Sequence, residues 1–232
     1  MHIYIHKKVH FYTIINSMIY VFGGIKGGVG KTTVAVNFIQ YLAEQHKRDI
    51  LLIDADDQET ATDYTAWRDA TLEGNLGFTA IKLTGDAIRS QMPNLKKKYD
   101  DIIIDTGGRD TKSQRSALIV ADTYLVPFYP RSFDFWTVTK VQQLIEDIKT
   151  VNFGLKVFAF LNRADLRSAD NRDTAAALED AEGLTYINQP LINRKCYSNA
   201  AGKGISVFEY EPKDDKAVSE LNALFNEVMK LA

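Results

Sequence analysis

Residues 23–33 read GGIKGGVGKTT, and no other segment constrains the chain as tightly. The loop follows a β-branched run (MIYVFG, 18–23) and precedes a helical pattern (31–46) with Val34, Phe38, Ile39 and Leu42 at helical spacing. A glycine-rich loop in that setting binds phosphate. Gly27, Gly28 and Gly30, with Val29 between the last two, allow backbone N–H groups to turn inward around phosphate oxygens. The helix behind presents its positive N-terminus to the same anion. Lys31 is placed to reach the β- and γ-phosphates of a nucleotide, and the Thr32 hydroxyl to coordinate Mg²⁺; Thr33 follows in the first turn. The loop departs from the pattern G-x-x-x-x-G-K-[ST] at one position, because Ile25 stands where the first glycine belongs.

From Met18 onward, short β-branched runs alternate with amphipathic helical runs. Strands are expected at 18–23, 50–54 (ILLID), 101–105 (DIIID), 123–127 (TYLVP) and 155–161 (LKVFAFL). Helices fill 31–46, 59–70, 85–98, 112–121, 134–149, 170–182 and 214–231. This alternation predicts an α/β fold, a single doubly wound, mostly parallel sheet flanked by helices. No internal repeat, low-complexity tract or Pro/Gly-rich linker divides it. In such sheets ligands sit outside the carboxyl ends of the strands, where every chemical motif here falls.

One cysteine, Cys196, cannot form an intrachain disulfide or a cysteine-built metal cage, which points to a cytoplasmic protein. The net charge of -2 supplies no global basic field, so any nucleic-acid binding must come from a local patch. No apolar run approaches the roughly 20 residues that span a bilayer. Residues 1–17 (MHIYIHKKVHFYTIINS) hold His2, His6 and His10, but their alternating β-branched and aromatic residues are not helical. They lack the longer apolar core of a signal peptide. We expect an extra N-terminal arm, disordered or a non-native start, ahead of one domain over 18–232.

The segment KGGVGKTT, Lys26 to Thr33, carries a second lysine five residues before Lys31. In this it resembles the ParA/MinD family of deviant Walker A ATPases, over nearly the whole chain from Met18. The resemblance implies an ATP- and Mg²⁺-binding ATPase that forms a homodimer with ATP sandwiched between subunits. It implies that Lys26 crosses the interface to phosphates bound by the other subunit, where a cation stabilises charge developing in phosphoryl transfer. LLIDADDQ (51–58) resembles the family's D-x-D-P-Q motif, with Asp57 replacing the proline. Asp56 then takes the role of positioning the attacking water. DIIIDTGG (101–108) looks like Walker B, which makes Asp105 the carboxylate that holds Mg²⁺ through water. Asp54 joins Thr32 and Asp105 in the implied metal set. Gly107 and Gly108 leave room for a switch near the γ-phosphate.

Further on, VPFYPRSFD (126–134) resembles the family's strand-end segment that leads into a helix. LNRAD (161–165) resembles the position where family members use asparagine to read adenine; Asn162 can donate and accept, and Arg163 adjoins it. Asparagine at a strand end is also a common turn former, and both readings stay open. INRKCYSNAAGKGISVFEY (192–210) resembles the family's late loop, with Arg194, Lys195 and Lys203 as candidates for DNA contact. Lys96, Lys97 and Lys98, and Arg163, Arg167 and Arg172, are further basic clusters. The short plasmid-type ParA proteins are the branch most resembled. They lack a helix-turn-helix extension, and seventeen residues are too few to supply one. This implies DNA partition: non-specific DNA binding in the ATP state, on the nucleoid, with a small centromere-binding (ParB/ParG-like) partner.

A MinD-like positioning ATPase on a membrane needs a C-terminal amphipathic helix with a basic polar face. The tail instead shows Val218, Leu221, Leu224, Phe225 and Val228 on one stripe and Glu220, Asn222, Asn226 and Glu227 opposite, so it should pack on its own core. A metallochaperone ATPase needs paired cysteines. A metabolite ligase is opposed by the D-x-D and late-loop matches.

Overall fold

The computed structural model describes residues 17–130, 135–166 and 168–232. Most of the N-terminal arm (1–16, with its histidines), the segment 131–134 and Arg167 lie outside the described residues. The elements run β1 (Met18–Phe22), α1 (Lys31–His46), β2 (Ile50–Asp54), α2 (Thr60–Thr71), β3 (Thr79–Lys82), α3 (Asp86–Leu95), β4 (Asp101–Asp105) and α4 (Lys112–Val120). They continue as β5 (Thr123–Phe128), α5 (Phe135–Lys149), β6 (Lys156–Leu161), α6 (Ala169–Glu179), β7 (Thr185–Tyr186), α7 (Lys195–Ala201) and α8 (Asp215–Leu231).

The seven strands form one sheet in the order β3-β2-β4-β1-β5-β6-β7, and every pairing is parallel. Helices must therefore cover both faces, and residue alternation assigns each side chain to one of them. Ile19 and Val21 point into a layer with Ile88 and Met92 of α3, Leu118 of α4 and Val141 and Ile145 of α5. Tyr20 and Phe22 point into the other, with Val34, Phe38 and Leu42 of α1 and Leu221 and Phe225 of α8. The Phe38 and Phe225 rings lie 5.0 Å apart. The apolar stripe of α8 is thus spent on the core, each large side chain contributing roughly 1.5–3 kcal/mol.

Three short elements go beyond the sequence expectations: β3, β7 and α7. The sheet edges fall on β3 and β7, whose residues are half-buried or exposed, so neither presents a continuous apolar run. α3 ends at Leu95, two residues beyond the internal Pro93, rather than at 98.

Register fixes the level of the motifs. Phe22 pairs with Asp105, and Asp54 pairs with Asp105 from the other side. Strand β1 has β4 on one flank and β5 on the other, so its carboxyl end opens at the topological switch point.

Candidate nucleotide site

The phosphate loop is held from behind. Asn162, at the end of β6, donates its Nδ2 to the Val29 carbonyl at 2.7 Å and accepts the Arg163 N–H on Oδ1 at 3.0 Å. Arg163 donates Nη1 to the Gly28 carbonyl at 2.9 Å, with its guanidinium 5.0 Å from the centroid of the Tyr129 ring. A peptide's C=O and N–H point in opposite directions, so tying these two carbonyls turns the loop's N–H groups to the opposite side. Gly30 caps α1 in the left-handed region (φ 91°). Loop, strand and helix thus form the predicted anion cradle.

Three functional side chains meet at its floor. Lys31 is 7% exposed and its ammonium donates to the Lys26 carbonyl at 3.4 Å. Burial holds its pKa below the ordinary lysine value, against the raising pull of Asp105 and Asp56. Thr32 Oγ1 donates to Asp105 Oδ2 at 2.5 Å. Asp105 Oδ1 is buried with no partner. Burial pushes the Asp105 carboxyl up to about 7, while the Thr32 hydrogen bond and the Lys31 charge pull it down. A hydroxyl and an orphaned carboxylate oxygen side by side, at the mouth of a phosphate cradle, are the hard oxygen donors that Mg²⁺ takes. The residues present fit that ion.

Asp54 is engaged differently. Its Oδ1 accepts from the Asp56 N–H at 3.0 Å, and its Oδ2 accepts from Thr62 N (2.8 Å) and Thr62 Oγ1 (2.7 Å). This carboxylate shapes the turn after β2 and secures the first turn of α2. Asp56 lies beyond it, against Gly107: a Cβ added to Gly107 would sit 2.8 Å from Asp56 Oδ1. A Cβ on Gly108 would sit 2.5 Å from Gly27 N, so only glycine permits these two segments to approach so closely.

Lys31, Thr32, Asp56, Gly107 and Gly108 line one cavity of about 850 Å³, whose far wall is the late loop with Ile192, Asn193, Arg194 and Tyr197. Arg194 turns inward: its Nη2 donates to Glu220 Oε1 at 2.5 Å and its Nε to Glu220 Oε2 at 3.3 Å. Lys195 is exposed at the start of α7, and Lys203 lies over the Tyr210 ring at 5.1 Å. Of the three residues named for DNA contact, Arg194 is therefore a pocket-wall residue held by a carboxylate. Among the other basic residues, Lys96 Nζ lies 3.5 Å from Asp122 Oδ2, and Arg163 is committed to the phosphate loop.

Sequence reasoning did not single out Tyr197, Arg109 or Thr62. The Tyr197 hydroxyl is buried without a partner on the cavity wall, a fact only the packing of α7 reveals. Arg109 directly follows the paired glycines of DTGG, which was a legible signal.

A parallel sheet with a phosphate cradle, a buried lysine and an Oγ–carboxylate pair at its switch point defines a phosphate-loop nucleotide-binding protein. The family model of the CobQ/CobB/MinD/ParA nucleotide-binding domain matches residues 20–207, and the chain belongs to that family. It is similar to maintenance of carboxysome distribution protein A from Halothiobacillus neapolitanus, 27% identical over 208 residues, covering 88% of this chain and 93% of the relative. It is similar to protein ParA from Rhizobium radiobacter, 28% identical over 184 residues, covering 75% of this chain and 77% of the relative. Its fold is that of Cyanothece McdA, solved as an ATP complex: TM-score 0.72 and 17% identity, covering 93% and 96% of the two chains. Among the described residues, no helix is long and apolar enough to cross a membrane.

Proposed function

We propose that the chain is a Mg²⁺-dependent ATPase whose ATP-bound homodimer binds DNA without sequence preference and partitions a replicon with a small centromere-binding partner. The observation that carries the nucleotide reading is the Thr32–Asp105 contact with the unpartnered Asp105 Oδ1 beside buried Lys31. Thr32 and Asp105 would hold Mg²⁺, which when bound neutralises β- and γ-phosphate charge. Asp54 serves this set by positioning, since both its oxygens already accept hydrogen bonds. The N–H groups of residues 27–31 grip the phosphates and Lys31 adds a fixed charge. Asp56, pressed against Gly107, orients the attacking water. Lys26 of one subunit reaches the phosphates held by the other.

For the base, we place the edge-reading groups on the late loop, at Asn193 and Tyr197, and give Asn162 the role of bracing the loop. Lys195 is the better-exposed DNA candidate, with Lys203 beside it. In the ATP state the protein would reside on the nucleoid, in the cytoplasm.

A second reading has the same switch carrying a protein cargo across DNA. It is favoured by the carboxysome-distribution relative, 93% of whose length is matched. The two differ in partner, not in ATPase chemistry. Phosphate release and electrophoretic mobility of a duplex of arbitrary sequence test the common core. Turnover should require Mg²⁺, and a shift should require ATP and weaken steeply with salt. No shift on any duplex would leave the ATPase and remove the DNA reading. Co-purification with a centromere-like DNA-binding protein, or with an organelle shell protein, separates the two cargoes.

A further inference from the structure

We propose that Arg109 is an additional cation for the triphosphate, acting on the terminal phosphate within its own subunit. This rests on the nucleotide reading above. Four cations line the described cavity: Lys31, Arg109, Arg163 and Arg194. Three already have protein partners. Lys31 donates to the Lys26 carbonyl, Arg163 to the Gly28 carbonyl and Arg194 to Glu220. Among the described residues, the Arg109 side chain has no hydrogen bond or ion pair. Its neighbour Asp110 does not neutralise it, because Arg115 takes both Asp110 oxygens at 2.8 and 2.7 Å.

An unpaired arginine on a surface is ordinary; an unpaired arginine on a fixed pedestal in a phosphate cavity is not. Arg109 leaves Gly107–Gly108, the segment pressed between Gly27 of the phosphate loop and Asp56. That places its backbone beside the end of the cradle where a terminal phosphate and its attacking water must lie. The backbone itself is anchored. Gln114 is fully buried, and its amide nitrogen, turned to suit its surroundings, comes within 3.0 Å of the Gly24 carbonyl, 3.2 Å of the Arg109 carbonyl and 3.3 Å of the Gly107 carbonyl. The same amide thus ties the start of the phosphate loop to the base of the arginine. Only the exposed side chain is left without an anchor, on a preorganised base, the arrangement that lowers reorganisation cost in phosphoryl transfer.

Guanidinium suits this place. It is charged at any working pH and presents a planar fork to phosphate oxygens, whereas an ammonium is a point charge. Because Asp105 and Thr32 mark the Mg²⁺ end of the cradle and Arg109 lies just past the Gly107–Gly108 turn, the contact is with the group that ADP lacks. Arg109 therefore distinguishes ATP from ADP more sharply than Lys31, whose contacts include the β-phosphate that both nucleotides carry.

The test uses the full chain with Arg109→Ala and Arg109→Lys. Calorimetry measures affinity for Mg²⁺-ADP and for a non-hydrolysable ATP analogue, and phosphate release gives kcat and KM. Arg109→Ala should weaken the ATP analogue roughly tenfold or more, the worth of a charge-assisted phosphate contact, while ADP stays within about twofold. Its kcat should fall roughly a hundredfold, the scale of losing one aimed donor, and Arg109→Lys should recover part of it. Melting curves matching the parent chain would confirm that both variants fold. Equal losses for ATP analogue and ADP, or no loss in either, would overturn the proposal. If the parent chain binds neither nucleotide, the nucleotide reading itself fails; if it binds both and the variants are indifferent, only Arg109 does.

Discussion

Thr32 Oγ1 donates to Asp105 Oδ2 at 2.5 Å, bridging the first turn of α1 and the end of β4, while the second Asp105 oxygen is buried alone. The pair is arranged for a cation, and without one the carboxylate is unfavourably placed. Burial raises Asp105 from 3.8 to about 7, so the folded chain keeps a proton there that the unfolded chain releases. Stability of the ligand-free protein therefore falls as pH rises through that window and levels off above it. Asp105→Asn keeps the shape without the charge. It should melt a few degrees above the parent at about pH 8, with the difference closing toward about pH 4. It should also lose the Mg²⁺-dependent gain in nucleotide affinity. A variant less stable than the parent at the higher pH would sink this account.

On the proposed reading, Lys26 and Asp56 divide dimerisation from turnover. Lys26 precedes the loop and is half-buried beside it, with its carbonyl accepting from Lys31. Lys26→Ala should still bind ADP as a monomer and fail to dimerise with ATP. Asp56→Ala should dimerise with ATP and release phosphate slowly. Light scattering with both nucleotides decides: normal ATP-dependent dimerisation of Lys26→Ala would refute the sandwich.

Much of this was legible because parallel central strands are apolar on both faces and helices are not. ILLID and DIIID declare β2 and β4 outright, and GGVGKTT declares the turn between β1 and α1. The edge strand TAIK (79–82) was not legible, since half-exposed edges alternate without a long apolar run. Site residues divide in the same way. Thr32 and Asp105 were named from the sequence, and lie side by side in the fold, because a helix start and a strand end each have a fixed place. Asn162 and Arg194 were placed by segment and not by direction, and direction is set by partners distant in sequence: Val29 for one, Glu220 for the other.

Asn162 offers a direct contest between bracing and base reading. Removing its amide leaves the buried Val29 carbonyl without a donor, a loss of about 1–3 kcal/mol. If that loss loosens the loop, Asn162→Ala should weaken ATP, ADP and GTP alike, by roughly 5–150-fold. The preference for ATP over GTP should not change. Tyr197→Phe, which removes an unpartnered hydroxyl from the cavity wall, should alter that preference instead. Competition binding with the three nucleotides reads both; a collapse of base preference in Asn162→Ala alone would restore adenine reading to that residue.

Arg194 and Lys195 separate pocket architecture from DNA contact. Glu220 accepts from Arg194 on both oxygens and also from the Ile192 N–H at 3.1 Å, so the pair pins the late loop to α8. The Arg194 and Glu220 side chains are only 17% and 20% exposed, and burial of this order makes a broken pair costly. Arg194→Glu should set two carboxylates against each other and destabilise the chain by about 1–3 kcal/mol. At this chain size that is about 2–4 °C of melting temperature per kcal/mol. The swap Arg194→Glu with Glu220→Arg should recover most of the loss. Any drop in DNA retention by Arg194→Glu is then confounded by a loosened loop. Lys195, exposed one residue on, carries no such burden: Lys195→Glu should melt with the parent and bind Mg²⁺-ATP normally. If Lys195 touches a phosphate, the variant's DNA affinity should drop and the slope of log affinity against log salt should flatten by about one for each phosphate no longer neutralised. An unchanged slope would move the DNA surface off the late loop, toward Lys97 and Lys98 at the end of α3.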